Sequence, residues 1–510
     1  MNKFLLLPFA MIISSVVQAQ TPTWSDPIAQ IVYDNCTKCH RPGQLGPFSL
    51  TNYVEASSDA DELAEAVLAG EMPPWPANPD YRHFAYEQVL SAEEIEAIVQ
   101  WAEAGAPSGD LELAPDPPVF PVGSQLETID LTLQIEPYTL QSNYDEYRWF
   151  AIENPFDETI YINTIEVIPG LPELVHHADI SYDEGSQSIN FDNADPLSGF
   201  NNDTGYPNYD YYMNAWMAGG NVVRYPDNWG IEVPPGSHFV FEIHYGPGGQ
   251  GQTDSTKMNL QFVTDPDNVR PVQPLWLLSG PSSGNLFLPA NEVTWFTQQS
   301  STIWSEKSMI AICPHQHMLG DTYKVWMETA EGDSIPLVDI PQWDFHWQMY
   351  YYFIYPQYIP EGAVVKSIAS FDNTVNNEDN PNNPPQNVWG GPTTTSEMLM
   401  VFAIWSNYQP GDEEILMDST YVPEGITAMV NPLQISLYPN PAVSHVYIST
   451  VGKNMAGAAI ECSNMMGQTV MTSTFDGGVM RLDLEALPAG PYVVTMKKNN
   501  DLWRGRVLKQ

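Results

Sequence analysis

The chain has 510 residues, 43% of them hydrophobic, so it can fold into about three or four domains with packed cores and is not a disordered polypeptide. Its 63 acidic residues against 18 basic ones give a net charge of −45, which excludes the basic surface that nucleic-acid binding requires. The 45 prolines and the aromatic content favour short strands and turns over long helices.

Residues 1–19 have the features of a secretory signal peptide. Lys3 supplies the positive charge, residues 4–17 are apolar, and Ala19 provides a small residue for cleavage. A membrane anchor is the alternative, but the apolar stretch is short and Pro8 interrupts it. No later stretch is apolar enough to span a bilayer. We therefore expect an exported protein without a transmembrane segment.

Residues 24–107 are predicted to form a small helical domain. Residues 59–70 carry apolar side chains at helical spacing, and Ser91 with Glu94 forms a capping box before a second amphipathic run. The proline-rich, acidic residues 108–121 are predicted to be a linker.

From about residue 122 the pattern changes to alternating strands separated by Gly, Pro, Asn and Asp clusters, which predicts β-sandwiches. The length favours two of them, at 122–268 and 269–425. The predicted strands include residues 131–135, 161–167, 237–244, 258–263, 323–327, 364–371 and 397–405.

The last part of the chain, residues 431–510, has seven basic and five acidic residues, so it is nearly neutral beside a strongly acidic body. Such a change in composition indicates an independent module. Strands are predicted here at residues 446–449, 468–474 and 492–497.

The segment from Cys36 to His40 has the pattern C-x-x-C-H, which is typical of covalent c-type haem attachment. Two thiols one helical turn apart, Cys36 and Cys39, would bond to the haem vinyl groups, and His40 would be an axial iron ligand. Met72, before a Pro-Pro-Trp loop, is the predicted second ligand, although core packing is its alternative role. Residues 24–107 resemble a small class I cytochrome c domain, which implies a haem between helices.

Five further histidines lie in three short motifs. In a strand, His315 and His317 would point to one face, whereas His176 and His177 would point to opposite faces unless the strand ends or twists there. Imidazoles suit copper, zinc or iron, and an added thioether favours Cu(I). Spacing alone leaves core or surface roles open for these histidines, which lie in the segments LVHHADI, FEIHYGP (His244) and CPHQHMLG.

The order of these motifs, followed by the Ser-Glu-Met segment at 396–398, resembles the type II copper, ascorbate-dependent monooxygenases, which include peptidylglycine α-hydroxylating and dopamine β-monooxygenases. The resemblance covers residues 122–410, including the runs WDFHWQ at 343–348 and FDNTVNN at 371–377. It implies two β-sandwich domains that each carry one copper ion. The implied ligands are His176, His177 and His244 for an electron-transfer copper, and His315, His317 and Met398 for an oxygen-activating copper.

Two alternatives accompany these ligands. Met400 competes with Met398 because both point to the same strand face. His238 shares a strand face with His244 and could support it from behind, although a surface or core role is favoured. The remaining histidines match no ligand position: His83, His346 and His445.

The chain departs from the peptidylglycine enzymes at the residues that hold their substrate's carboxylate. Cys313 stands where those enzymes have an arginine, and Met400 and Phe402 stand where they have asparagine and tyrosine. We therefore expect an apolar or uncharged substrate. Cys313 is expected to pack as a small hydrophobic residue and not to pair with Cys462.

The tail carries YPNP at 438–441, MGQTV at 466–470, LPAGPYVV at 487–494 and a basic end at 504–509. This set resembles the C-terminal sorting domain of type 9 secretion cargo, which implies a small Ig-like β-sandwich and delivery to the surface of Bacteroidetes-type bacteria. An ordinary adhesive module is the alternative.

These interpretations predict a multidomain, mainly β oxidoreductase that is secreted or displayed at the cell surface and poor in disulfides. It would hydroxylate a C–H bond of a small molecule or peptide with O2, using two copper ions and one covalent haem. An external reductant, ascorbate-like or a redox partner, would supply electrons, and the haem domain could pass them to copper. The alternative is a non-catalytic electron-transfer or copper-binding haem protein.

Overall fold

The computed structural model describes residues 21–120, 123–201, 211–417, 435–438, 442, 444–450, 457–464, 469–475, 479–488, 490–498 and 501–509. The predicted signal peptide lies outside these residues. The chain is mainly β, as predicted, and divides into two compact units, Met1–Ser419 and Thr420–Gln510. Every helix in the described ranges is too short and too polar to cross a lipid bilayer.

The N-terminal part is helical because its apolar residues recur at helical spacing and bury one common core. Leu63 and Val67, one turn apart, face Ile98 and Trp101 in that core. The helices are α1 (Ile28–Asn35), α2 (Tyr53–Ser58), α3 (Ala60–Ala69) and α4 (Ala92–Glu103).

Two of these helices end or begin as the sequence predicts. Gly70 terminates α3 in the left-handed conformation, at φ 75°, which a residue with a side chain rarely adopts. Ser91 accepts a hydrogen bond from the Glu94 amide, and the Glu94 carboxylate accepts one from the Ser91 amide. This is the predicted capping box, and it fixes the first turn of α4.

The next part of the chain folds into strands with one helix, α5 (Gln187–Ala194). Its apolar residues alternate inward along each strand, as expected for a sandwich. The strands are β1 (Leu131–Gln134), β2 (Tyr138–Thr139), β3 (Glu146–Glu153), β4 (Ile160–Ile168), β5 (Val175–Asp183), β6 (Tyr211–Met217), β7 (Val223–Arg224), β8 (Trp229–Val233), β9 (His238–Tyr245), β10 (Thr253–Asp254) and β11 (Lys257–Phe262).

A second set of strands follows the 3-10 turn Pro266–Asn268 and continues to the 3-10 turn Asp412–Glu414. The strands are β12 (Arg270–Ser279), β13 (Phe287–Leu288), β14 (Val293–Gln299), β15 (Lys307–His315), β16 (Gly320–Glu328), β17 (Ser334–Ile340), β18 (Tyr351–Ile359), β19 (Val364–Asp372), β20 (Val388–Trp389) and β21 (Met400–Asn407).

The two sandwiches share one sheet. Its order is β1-β11-β4-β8-β12-β21-β15-β18, with β7 added to β4. Strand β12 makes the junction because its first residues pair in parallel with β8 and the rest pair with β21. The sheet β3-β9-β5-β6 packs on the first half, and β14-β19-β16-β17 packs on the second. The predicted division near residue 268 therefore falls at the start of a shared strand.

Residues 74–86, which we call the strap, join the helical part to the sandwiches. Phe84 is 1% exposed and lies in the core of the second sandwich, with its ring 5.2 Å from that of Tyr351. The Ala85 amide donates to the Tyr352 carbonyl, and the Tyr86 hydroxyl donates to the Met417 carbonyl. The helical part is thus held by buried contacts, and not only by the predicted linker at 108–121.

The C-terminal unit consists of two packed sheets, β22-β23-β26 and β25-β24-β27-β28. Val446, Ile460 and Val494 belong to its single core. The strands are β22 (Ile435–Tyr438), β23 (His445–Thr450), β24 (Ala459–Asn464), β25 (Thr469–Thr474), β26 (Val479–Asp483), β27 (Gly490–Lys498) and β28 (Asp501–Lys509).

Candidate metal sites and their shared cavity

A β-bulge brings two consecutive histidines to the same place. In the pairing of β5 with β9, the register shifts between Val175 and His177, so His177 lies opposite His244 and His176 is the extra residue. A bulge turns the extra side chain away from strict alternation. This is the local twist that the adjacent histidines require, and it makes one cluster of His176, His177 and His244.

The ring nitrogens of this first histidine cluster converge. One nitrogen from each ring lies within 4.8 Å of the others. The Nδ1 atoms of His177 and His244 are 3.4 Å apart, and the buried Nδ1 of His176 has no hydrogen-bond partner in the described structure. Three imidazole nitrogens that face one point fit a metal ion such as copper or zinc.

Asp145 orients the cluster from outside. Its Oδ1 lies 2.8 Å from His244 Nε2, which leaves His244 Nδ1 facing the other histidines. A carboxylate on the outer nitrogen is the common support of a metal-binding histidine. Tyr147 adds a ring that stacks on His244 with centroids 4.2 Å apart. The hydrogen bond from His244 lowers the pKa of Asp145 against the effect of burial, so this support stays ionised.

The surroundings of His176 and His177 favour their neutral forms. Burial, with smaller contributions from the neighbouring imidazoles of His244 and His346, lowers the pKa of His176 to about 4. Burial and its histidine neighbours lower the pKa of His177 further. Neutral imidazoles keep the lone pairs that a metal needs at neutral pH.

The second donor set, His315, His317 and Met398, lies in the other sandwich. The sequence predicted that His315 and His317 share a strand. Strand β15 instead ends at His315, and His317 follows in the connecting segment. Their rings still meet, with centroids 5.0 Å apart. His317 Nδ1 lies 2.8 Å from the Ser396 carbonyl, so Nε2 is the ring atom that a metal ion could bind. Burial and the nearby His317 lower the pKa of His315 to about 3.

Glu397 holds this connecting segment in place. Its carboxylate oxygens accept hydrogen bonds from the amides of His317, at 2.9 Å, and Leu319, at 2.7 Å. Glu397 is 1% exposed, and burial raises its pKa to about 8 against the effect of these bonds. The strand predicted at 397–405 instead begins at Met400, so Glu397 and Met398 lie in the segment before β21.

One cavity of about 380 Å³ connects the two sets of donors. His177 lies in its wall on the first sandwich, and the second donor set lies in its wall on the other. Met400 also lines it, so the geometry admits both methionines. Six aromatic side chains also line it: Tyr147, Trp149, Tyr212, Trp276, Phe345 and Phe402.

The cavity wall has acidic side chains but no lysine or arginine among the described residues. Asp179 and Glu242 face each other across β5 and β9 and both line the cavity. Burial and the charge of Glu242 raise the pKa of Asp179. Cys313 and Phe402, two residues at which the sequence predicted no anchor for a carboxylate, line the cavity. An anionic group would therefore meet no counter-charge here.

A separate, largely apolar cavity of about 180 Å³ lies in the helical part and is lined by Cys36, Cys39, His40 and Met72; we call it the signature pocket. His40 Nδ1 lies 3.1 Å from the Phe48 carbonyl, which leaves Nε2 for a ligand bond. Two free thiols, an imidazole and a thioether around an apolar space fit a covalently attached haem.

The run at 343–348 contributed to the family resemblance, but nothing in the sequence showed that two of its residues lie next to the first histidine cluster. The ring of His346 lies 5.8 Å from that of His176, centroid to centroid, and that of Trp347 lies 5.6 Å from it. His346 was expected to match no ligand position, and only folding brings its loop to β5. His238 lies at the other end of β9, bonded to the Gly185 carbonyl, and does not support His244.

Comparison with known proteins identifies the tail. Residues 436–510 match the secretion system C-terminal sorting domain family. This domain directs proteins through type 9 secretion to the cell surface or outside the cell, so the predicted localisation is confirmed. No curated protein is similar to this sequence.

Similarities to solved structures are weak. A Faecalibacterium prausnitzii β-glucuronidase is 12% identical over 47% of this chain and 46% of its own, with a TM-score of 0.14. A peptide-N(4)-(N-acetyl-β-D-glucosaminyl)asparagine amidase is 9% identical over 55% of this chain and 97% of its own, with a TM-score of 0.25. No common fold follows from TM-scores this low, and the chain spans less than half of the glucuronidase.

Proposed function

We propose that this protein is a secreted copper-dependent monooxygenase that hydroxylates a C–H bond with O2. The observation that carries the proposal is the shared cavity, because His177 of the first histidine cluster lies in one wall and the second donor set lies in the other. Copper at these positions would supply the redox chemistry that activates O2. An ion in each sandwich allows storage of the two electrons that monooxygenation consumes.

The roles of the chain's own residues follow from their contacts. Asp145 orients His244, and the Ser396 carbonyl orients His317. Met398 adds a soft sulfur to two imidazoles, a donor set that favours Cu(I) and leaves a coordination position open. The aromatic residues make part of the cavity wall apolar, which suits an apolar substrate.

We infer a substrate without a carboxylate. The described wall offers no lysine or arginine, and its carboxyl groups, Asp179 and Glu242, provide no positive partner for an anion. The residues that hold a carboxylate in the peptidylglycine enzymes are replaced by Cys313, Met400 and Phe402. A small molecule or a peptide segment remains compatible with the cavity.

The helical part is proposed to be a cytochrome c domain. Cys36 and Cys39 would attach the haem, and His40 and Met72 would be its axial ligands. Such a haem would supply one electron at a time. An external reductant would replace each electron that the haem gives up.

A substrate screen tests the proposal. Haem- and copper-loaded protein is given ascorbate, O2 and a panel of neutral, cationic and carboxylate compounds, and products are read by mass spectrometry. We expect a product heavier by one oxygen atom from a compound without a carboxylate. His317→Ala should abolish it, whereas the matched control His238→Ala should retain it. Turnover that survives in His317→Ala would contradict the proposal.

The altered substrate-contacting residues also favour a second candidate, a non-catalytic electron-transfer or copper-binding haem protein. Cys313 and Phe402 line the cavity without the groups that anchor a known substrate. O2 uptake separates the two functions. A monooxygenase consumes O2 faster when its C–H substrate is added, whereas an electron carrier shows no such dependence.

A further inference from the structure

One side chain, Trp347, contacts both the signature pocket and the first histidine cluster. Its indole lines the signature pocket together with Cys39 and Met72. On its other side the indole centroid lies 5.6 Å from the His176 ring. It also lines a cavity of about 100 Å³ between the strap and β6. A single aromatic ring therefore spans the space between the two sites.

The loop that carries Trp347 is anchored on both sides. The Trp347 amide donates to the Asp344 carbonyl at 3.2 Å, and the Trp343 amide donates to the Asp321 carbonyl at 2.8 Å. The Asp344 carboxylate accepts a hydrogen bond from the His346 amide at 2.8 Å. These bonds fix the backbone of the loop from which the indole extends.

A backbone route between the two sites also exists. A Cβ placed on Gly219 would lie 2.6 Å from Cys39 Sγ, so that sulfur lies directly against the glycine backbone. The neighbouring Ala218 amide donates to the His176 carbonyl at 3.2 Å. This route reaches the His176 backbone and needs several further bonds to arrive at its imidazole. The route through Trp347 goes from the pocket wall to that imidazole in one ring contact.

We propose that Trp347 is the positioning residue that couples the signature pocket to the first histidine cluster for electron transfer. The inference rests on the proposed function, since it requires haem in the pocket and copper at the cluster. One electron leaves a ferrous haem, which becomes ferric, and one Cu(II) becomes Cu(I); no bond or proton is exchanged. The external reductant then returns the haem to the ferrous state.

Flash photoreduction tests the proposal. Protein with ferric haem and Cu(II) is kept without O2, a ruthenium photoreductant delivers an electron to the haem, and the ferrous absorbance is followed. In the wild type the ferrous signal should decay at a rate independent of protein concentration. Trp347→Leu should slow this decay several-fold, because it removes the ring that lies between the pocket and the His176 imidazole. Trp347→Phe, which keeps a ring, should recover part of the rate.

Three controls separate coupling from folding. The haem spectrum, the haem reduction potential and the copper content of Trp347→Leu should equal those of the wild type. Trp304→Leu, at a tryptophan that is 80% exposed, should leave the rate unchanged. If wild-type protein lacks haem or copper, the metal analysis shows that the proposed function itself has failed.

Two kinetic results would overturn the coupling alone. Equal decay rates in the wild type and Trp347→Leu, with both metals bound, would assign transfer to the backbone at residues 218–219. A wild-type decay that does not depend on copper would show that the haem serves another acceptor. Both results leave the two metal assignments standing.

Discussion

At the scale of single residues, Asp145 has the clearest effect on the first histidine cluster. It lies outside the cluster and bonds to His244 Nε2 at 2.8 Å. We expect Asp145→Ala to weaken copper binding at this cluster by about 10- to 100-fold, because the His244 ring loses its outer partner. A competition titration with a copper chelator measures this. The copper affinity of the second donor set in the same variant is the internal control. An unchanged copper affinity of the first histidine cluster would contradict the role of Asp145.

Met398 and Met400 form a matched pair for the second donor set. Both line the cavity, but Met400 begins β21 whereas Met398 precedes it. We expect Met398→Ala to lower the Cu(I) affinity of this set and Met400→Ala to leave it unchanged, because only the former removes the proposed sulfur ligand. Sulfur scattering in the copper X-ray absorption spectrum should disappear only from Met398→Ala. Its loss from Met400→Ala instead would reverse the assignment.

Replacing Met72 tests ligation of the proposed haem iron separately from covalent attachment of the haem. Met72→Ala should keep one covalent haem per chain, because attachment depends on Cys36 and Cys39. The weak long-wavelength band of methionine-to-iron coordination should disappear from its spectrum. A pyridine haemochrome assay counts the haem, and haem extractable with acidified acetone from the wild type would exclude thioether attachment.

At the scale of elements, the junction of the two sandwiches depends on a buried ion pair. Arg270, on β12, makes two hydrogen bonds of 2.7 Å to the Asp412 carboxylate, which also accepts one from the Ser308 hydroxyl on β15. Breaking a buried pair leaves a charge unpaired. We expect Asp412→Asn to destabilise the protein by about 3–5 kcal/mol, measured by denaturant unfolding.

The same contact predicts a pH dependence. Burial raises the pKa of Asp412, but hydrogen bonds from Arg270 and Ser308 outweigh it, so the pKa is lowered from its usual 3.8. The ion pair therefore contributes fully to the free energy of unfolding at pH values above 3.8. This contribution is lost as the pH falls through the lower pKa of Asp412 in the folded protein. Unfolding midpoints compared near pH 6 and pH 3 should converge for the wild type and Asp412→Asn. A constant difference would contradict this account.

At the scale of the whole molecule, the strap joins the helical part to the sandwiches. Phe84 is buried in the second sandwich although it belongs to the sequence of the helical part. We expect Phe84→Ala to cost about 3–5 kcal/mol of stability. The haem absorbance and the tryptophan fluorescence should then report two thermal transitions in place of one. His83→Ala, at a half-exposed neighbouring residue, is the matched control. A single shared transition in Phe84→Ala would contradict the role of Phe84 in joining the helical part to the sandwiches.

Local features could be predicted from the sequence because they depend on neighbouring residues. The capping box at Ser91 and the stop of α3 at Gly70 depend on residues within one turn. The alternation of apolar and polar residues placed the strands that were predicted to within a few residues, because a strand with one buried face requires an apolar residue at every second position. The tail was predicted from its motifs, and the sorting-domain match at 436–510 confirmed it.

The relation between distant segments was decided only by the tertiary structure. No residue near His176 shows that the strand bulges there, because a bulge is a mismatch with the partner strand β9. The continuity of one sheet through β12 depends on pairing with both β8 and β21. The position of Trp347 between the signature pocket and His176 required three segments to pack together, and contacts of that kind leave no periodic pattern in the sequence.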